Sequence, residues 1–295
     1  MHYLRKLLLA LPLLILTGCG ADVLEEKGAR DPSYLPISQT NTIVFVHGMY
    51  LTPIVWQEWE THFQDLGYDT HSPAWQQHDL SVAEQNSIHP SDALAALTLP
   101  EVVQHYRDYI AALEETPILI GHSMGGLIVQ MLLSEGIGAA GVAINSAPPQ
   151  GVLSANADFL KANWPHINPV LSPNKPTQLT FEQFTFGFVN DMDSETQINA
   201  YNHYAVPESR RVGKATLTSD AAIDVTLPRA PLLILAGGND HTIPASLNYT
   251  NFKKYQPAPS ITDYKQFPER NHWTILQPEW EILAEYIQVW LGDNS

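Results

Sequence analysis

The chain has 295 residues, with 31 acidic against 15 basic side chains and a formal charge of −16. That length supports one large core with room for an insertion, while so acidic a surface repels phosphate backbones and anionic headgroups and excludes nucleic acid as a partner. One cysteine, Cys19, excludes an internal disulfide, so stability has to come from packing.

Residues 1–18 read as a processing segment. Arg5 and Lys6 are followed by an apolar run at 7–16, broken once by Pro12 and too short for the roughly 20 residues that span a bilayer. Leu16-Thr17-Gly18-Cys19 resembles the lipobox of bacterial lipoproteins. That resemblance implies cleavage before Cys19, lipidation of its sulfur and new amino group by palmitate-like chains, and attachment to a membrane of the bacterial cell envelope. Several acyl chains hold durably because each buried methylene contributes about 0.8 kcal/mol. Gly20, not Asp, follows the cysteine, which favours the outer membrane in a Gram-negative host. An ordinary signal peptide is the alternative. Cleavage leaves 13 basic against 31 acidic residues, a formal charge of about −18, so the bilayer would be held by the lipid and not by a basic patch.

Residues 19–39, polar and carrying Glu25-Glu26-Lys27-Gly28, Pro32 and Pro36, predict a lipid-anchored tether. Beyond it short apolar runs alternate with longer mixed ones. Strands are predicted at 42–46, 68–71, 118–120, 141–145, 232–236 and 262–267, and helices at 56–64, 99–113, 126–133 and 279–290. The alternation gives a doubly wound, mostly parallel α/β sheet built from 40–149 and 227–295. Residues 150–226 break it with a long stretch rich in aromatics, Asn and Pro, read as an inserted helical cap over the sheet's carboxyl ends.

Gly121-His122-Ser123-Met124-Gly125 sits directly behind the strand-like Pro117-Ile118-Leu119-Ile120 and ahead of a helical run. A serine on such a sharp strand-to-helix turn projects its hydroxyl above the sheet, and Gly121 and Gly125 let strand and helix approach closely. Ser123 is therefore the candidate nucleophile. A serine hydroxyl needs an imidazole to take its proton, and the imidazole needs a carboxylate to hold its tautomer. Asp240 follows the apolar strand at 232–236 in a turn where ligand-facing groups collect; Asp220 and Asp224, the competing acids, follow no buried strand. His272 alone among twelve histidines lies beyond the acid strand and the strand after it, which makes it the candidate base. The amides of Met49 and Met124 are candidate oxyanion donors. Gly48 lets the first loop turn beside the nucleophile, and His47 orders that loop.

Taken together, His47-Gly48, Gly121-His122-Ser123-Met124-Gly125-Gly126, Gly237-Gly238-Asn239-Asp240 and Asn271-His272 resemble the α/β-hydrolase superfamily, most closely its capped esterases, lipases and cofactor-free haloperoxidase-like enzymes. The resemblance covers about residues 40–291. It implies Ser123 as nucleophile, Asp240 as acid, His272 as base, Met49 and Met124 as oxyanion amides, and no metal, nucleotide or organic cofactor. The short tether leaves little room for the hairpin that commonly precedes the first parallel strand, so a reduced, six-stranded sheet is expected.

The expected reaction is hydrolysis of neutral or apolar, short- to medium-chain or lipid-like carboxylic esters, with Trp56, Trp164, Phe184, Phe186 and Phe188 as candidate pocket-lining rings. Amide hydrolysis, perhydrolysis and lyase chemistry reuse such constellations, and a non-catalytic envelope binding protein on the same fold is the reading from another class. The residues indicate no oligomeric state.

Overall fold

A computed structural model describes residues 24–28, 40–256 and 260–294. Cys19 and the segment read as a processing signal lie outside the described residues. Six parallel strands form the centre: β2 (Thr42–Val46), β3 (Asp69–His71), β4 (Ile118–His122), β5 (Ala140–Ile144), β8 (Leu232–Gly237) and β9 (Thr262–Phe267). They follow a two-residue β1 (Glu25–Glu26), and two further short strands, β6 (Pro176–Thr177) and β7 (Glu208–Ser209), pair apart from the sheet. The sheet order is β1-β9-β8-β5-β4-β2-β3. All of β2, β4, β5 and β8 is buried, as expected for parallel strands covered on both faces by crossover helices. That explains why these strands read as continuous apolar runs and not as alternating ones.

Among the described residues the sheet has seven strands, not the six expected. No hairpin precedes β2 among the described residues, but residues 24–28, read as tether, dock on the outer edge of β9. Glu25 pairs antiparallel with Lys265 and Glu26 with Tyr264, Gln266 N–H donates to the Leu24 carbonyl at 2.9 Å, and the Lys265 ammonium sits 2.6 Å from Glu25. An edge strand carries unpaired amides and carbonyls, and two residues with an ion pair suffice to cover part of this one.

The helices are α1 (Gln57–Asp65), α2 (Val82–Ser87), α3 (Asp92–Ala96), α4 (Leu99–Ala111), α5 (Met124–Ser134), α6 (Ala157–Ile167), α7 (Phe181–Gly187), α8 (Ser194–Tyr204), α9 (Arg210–Lys214), α10 (Ala245–Tyr255) and α11 (Glu281–Asp293). Local chemistry sets their starts. Glu101 accepts the Thr98 N–H at 2.8 Å in front of α4, and Gln183 does the same for Thr180 in front of α7 at 2.9 Å, each satisfying a donor that the first helical turn leaves open. Helix α5 is buried over ten consecutive residues from Met124 to Leu133, so it runs through the core and presents its amino end to the centre of the sheet. Four helices, α6 to α9, lie between β5 and β8, where an insertion was expected. Among the described residues no helix is long and apolar enough to cross a membrane.

Candidate active site

Strand β4 enters α5 through Ser123, whose backbone adopts φ +56° and ψ −119°, a left-handed turn that costs a non-glycine residue of order 1–3 kcal/mol. The surroundings hold it there. Ser123 N–H donates to the Ile144 carbonyl at 2.9 Å, and the Ser123 carbonyl accepts from Ala147 at 2.9 Å. A Cβ on Gly125 would meet the carbonyl oxygen of Val46, and one on Gly121 the carbonyl of Gly125, so only glycine permits this approach of strand, turn and helix.

Two loops, after β8 and β9, bring the remaining groups to Ser123. His272 Nε2 lies 3.0 Å from Ser123 Oγ, and its Nδ1 lies 2.7 Å from Asp240 Oδ2. The other oxygen of Asp240 accepts two backbone amides, from Thr242 and Ile243, each at 2.7 Å, which fixes the carboxylate by charge-assisted hydrogen bonds. With Asp240 accepting at Nδ1, the neutral ring carries its proton there and offers a bare Nε2 to the serine. That is the tautomer a general base requires. Ser123, Asp240 and His272 are 7%, 4% and 0% exposed, so water is largely excluded from the relay. The three side chains picked out in the sequence form a serine-hydrolase triad.

Positioning residues that the sequence reading did not single out surround them. Asn145, at φ +43° just past β5, accepts the Gly237 N–H at 2.7 Å and donates to the Asn271 carbonyl at 2.9 Å, tying the acid strand to the base loop. The only hint in the sequence is a polar residue closing an apolar run. Asp191, from the insertion, accepts from Asn239 at 3.0 Å and from Asn271, bridging the same two loops. His122 Nε2 donates to the His272 carbonyl at 2.8 Å; burial, with the neighbouring His272, holds its ring well below the usual imidazole range and therefore neutral.

His47 is fully buried, and burial assisted by His78 lowers its pKa to about 3. The neutral ring donates Nδ1–H to the Gly48 carbonyl at 3.0 Å and accepts the Trp75 amide at Nε2 at 3.5 Å, so both nitrogens are used within the loop. A Cβ on Gly48 would come within 2.8 Å of the Ser123 Cβ, which places the loop against the nucleophile.

A cavity of about 250 Å³ opens on Ser123. Met49 and Met124 stand beside it, Phe188, Ile243 and Val152 form part of its walls, and Trp164, Leu153, Leu160 and Leu217 its more exposed parts. Of the five rings expected to line it, Trp164 and Phe188 do so; Trp56, Phe184 and Phe186 are placed elsewhere. Trp56 is fully buried against Phe45 at 5.0 Å, Phe184 stacks behind Phe188 at 4.7 Å, and Phe186 lies under the Lys161 ammonium and beside His241. Large rings near catalytic loops also serve the core, and aromatic composition alone does not separate the two uses. Among the described residues no group of three or more His, Cys, Asp or Glu side chains is arranged to hold a metal ion.

Residues 43–281 match the model of a family described as the alpha/beta hydrolase family. No curated protein matches the chain. Similar solved structures include an extracellular α/β-hydrolase from a Paenibacillus species (21% identity, TM-score 0.62, 83% of this chain and 97% of that one). A pyrethroid hydrolase from Sphingobium faniae is 18% identical with a TM-score of 0.62, covering 86% and 98% of the two chains. A monoacylglycerol lipase from Paleococcus ferrophilus is also 18% identical, with a TM-score of 0.61 and coverage of 93% and 100%.

Proposed function

Because this chain belongs to the alpha/beta hydrolase family, we propose that it cleaves neutral, largely apolar carboxylic esters of short to medium chain length through an acyl-enzyme on Ser123. The observation that carries the reading is the continuous relay Asp240–His272–Ser123 opening onto a mostly apolar cavity. His272 Nε2 takes the Ser123 proton as Oγ attacks the ester carbonyl, while Asp240 steadies the imidazolium that forms. The amides of Met49 and Met124 receive the oxyanion. Collapse of the tetrahedral adduct breaks the carbon–oxygen bond to the alcohol, and His272 returns the proton to the departing alkoxide. A water then gives a proton to His272 and attacks the acyl carbon, and collapse of this second adduct breaks the bond to Oγ as His272 returns the proton to Ser123, releasing the acid. Pyrethroid and monoacylglycerol, named for two of the structurally similar proteins, are ester substrates of the same apolar character.

The insertion, taken as residues 150–226, acts in this proposal as the cap that selects the acyl or alcohol group. Envelope attachment through acylated Cys19 belongs to the same proposal and places the site where lipid-like esters are at hand. Labelling of Ser123 by a fluorophosphonate, and turnover of a p-nitrophenyl ester series in preference to amides or peroxide-dependent oxidation, are the expected results. Full activity in S123A removes the covalent route. A mass spectrum of the membrane-extracted amino terminus with an unmodified Cys19, or with a different first residue, removes the anchor.

A further inference from the structure

Immediately after the proposed oxyanion donor Met49 comes Tyr50, a non-glycine residue at φ +63°. Both polar groups of its backbone are held from the insertion. Its carbonyl accepts the Val206 N–H at 3.0 Å, and its N–H points at Oε2 of Glu208 at 3.4 Å. Glu208 is a fully buried carboxylate with no role in the triad. Its Oε1 accepts the Ser209 N–H at 2.6 Å, and Oε2 also lies 3.2 Å from Nε2 of the equally buried His78. Trp75 Nε1–H donates to His78 Nδ1, which holds the ring beside the carboxylate.

The segment bearing Glu208 is anchored independently of Tyr50. Asn86 donates to the Ala205 carbonyl at 3.0 Å, Ser209 Oγ donates to the Leu97 carbonyl at 2.6 Å, and residues 208–209 pair with 176–177 in the small second sheet. Residues 206–208 therefore form a fixed clamp on a backbone conformation that Tyr50 would not keep unaided. The plane of the Met49–Tyr50 peptide is set by this clamp, and with it the course of the chain that aims the Met49 amide.

We propose that Glu208 is a positioning residue for the oxyanion loop: a buried carboxylate of the insertion which, with Val206, holds Tyr50 in its left-handed conformation and thereby keeps the Met49 amide directed at the developing oxyanion. The inference rests on ester hydrolysis through Ser123. It makes the insertion part of the transition-state machinery and not only a wall of the pocket. Interactions made only in the transition state lower kcat when lost, whereas lost substrate contacts raise KM.

The test compares the full-length wild-type chain with E208A, E208D and E208Q, measuring kcat and KM on a p-nitrophenyl ester and the inhibition constant of a trifluoromethyl ketone, whose serine adduct carries an oxyanion. In E208A kcat falls on the order of 10- to 100-fold, KM stays within about threefold, and ketone affinity weakens by the same factor as kcat. E208D, one methylene short of the Tyr50 amide, shows the same pattern. E208Q keeps one oxygen for that amide and recovers most of kcat. Should E208A not fold, E208D and E208Q carry the comparison. Unchanged kcat across the variants, or a loss of kcat with ketone affinity unchanged, overturns the proposal. A wild-type chain that labels at Ser123 but turns over no ester overturns the ester reading and the inference with it, whereas an active wild type with indifferent variants overturns the inference alone.

Discussion

At the carboxyl ends of β4, β8 and β9, the triad loops are cross-braced by short polar contacts: two amides on Asp240, Asn145 between the acid strand and the base loop, His122 on the His272 carbonyl. The inserted helices around the same cavity leave Leu153, Leu160, Trp164 and Leu217 between 42% and 70% exposed. Geometry is thus over-determined where a proton must move through 3.0 Å, and loosely filled where a substrate has to enter. Groups that must hold a transition state tolerate displacements of a fraction of an ångström, whereas an apolar wall binds by area and tolerates variation. Polar ties from the insertion nevertheless reach the same end of the sheet, among them Asp191 on the acid and base loops and Glu208 on the loop at Tyr50.

The contrast is broken most severely from the braced side. In D240N the amide that replaces the carboxylate no longer fixes the base tautomer of His272, and kcat is expected to fall on the order of 10⁴-fold with KM little changed. A fall of less than tenfold in steady-state kinetics would mean that the brace is dispensable. Acid tests the two regions at once. Burial, aided by His78, holds His47 in the braced region at about 3, and burial, aided by Arg210 and Lys214, holds His166 in the insertion at about 4. Below the ordinary value of about 6.5 the unfolded chain binds protons at these rings that the folded chain refuses. The stability they contribute is complete above pH 6.5 and is lost as pH falls toward 4 for His166 and 3 for His47, by about 2 kcal/mol for each ring between pH 7 and 5. Urea midpoints at the two pH values measure this together with the loss from His122, whose ring is also held low, and H166N removes about 2 kcal/mol of the difference.

Smaller effects sharpen the comparison. G125A forces a methyl group onto the backbone of Val46 and His47, with an expected cost of about 2–3 kcal/mol, a drop in thermal midpoint of roughly 5–10 °C, and a loss of kcat as Ser123 shifts. An unchanged midpoint would show that the elbow is not close-packed. W164A, at a residue 52% exposed, should leave stability within about 0.5 kcal/mol and kcat unaltered. Its effect is confined to KM, rising several-fold for the longer members of an ester series and not for acetate.

Much of this was readable from residue pattern. Ser123 was marked by glycines at fixed offsets behind an apolar run, Asp240 by its turn after a buried strand, and His272 by its place in chain order; each depends on local pattern and topology. The two-residue β1 was not, because Glu25-Glu26 carries no strand propensity and pairs only since β9 offers an open edge. The roles of Trp56, Phe184 and Phe186 were misjudged for a related reason: a ring lowers the free energy equally against the core or against a ligand, and only position decides which.

By itself the sequence determined the α/β architecture and the three reacting side chains, because strand periodicity, glycine-permitted turns and the order of groups along the chain are written in consecutive residues. Only the tertiary structure decided that Asn145 and Asp191 tie the loops of those groups together, that Glu208 lies against the backbone of Tyr50, and which apolar side chains face the cavity. Their partners lie tens to more than a hundred residues away, and a hydrogen bond or a packed face depends on distance in space, which no run of neighbouring residues encodes.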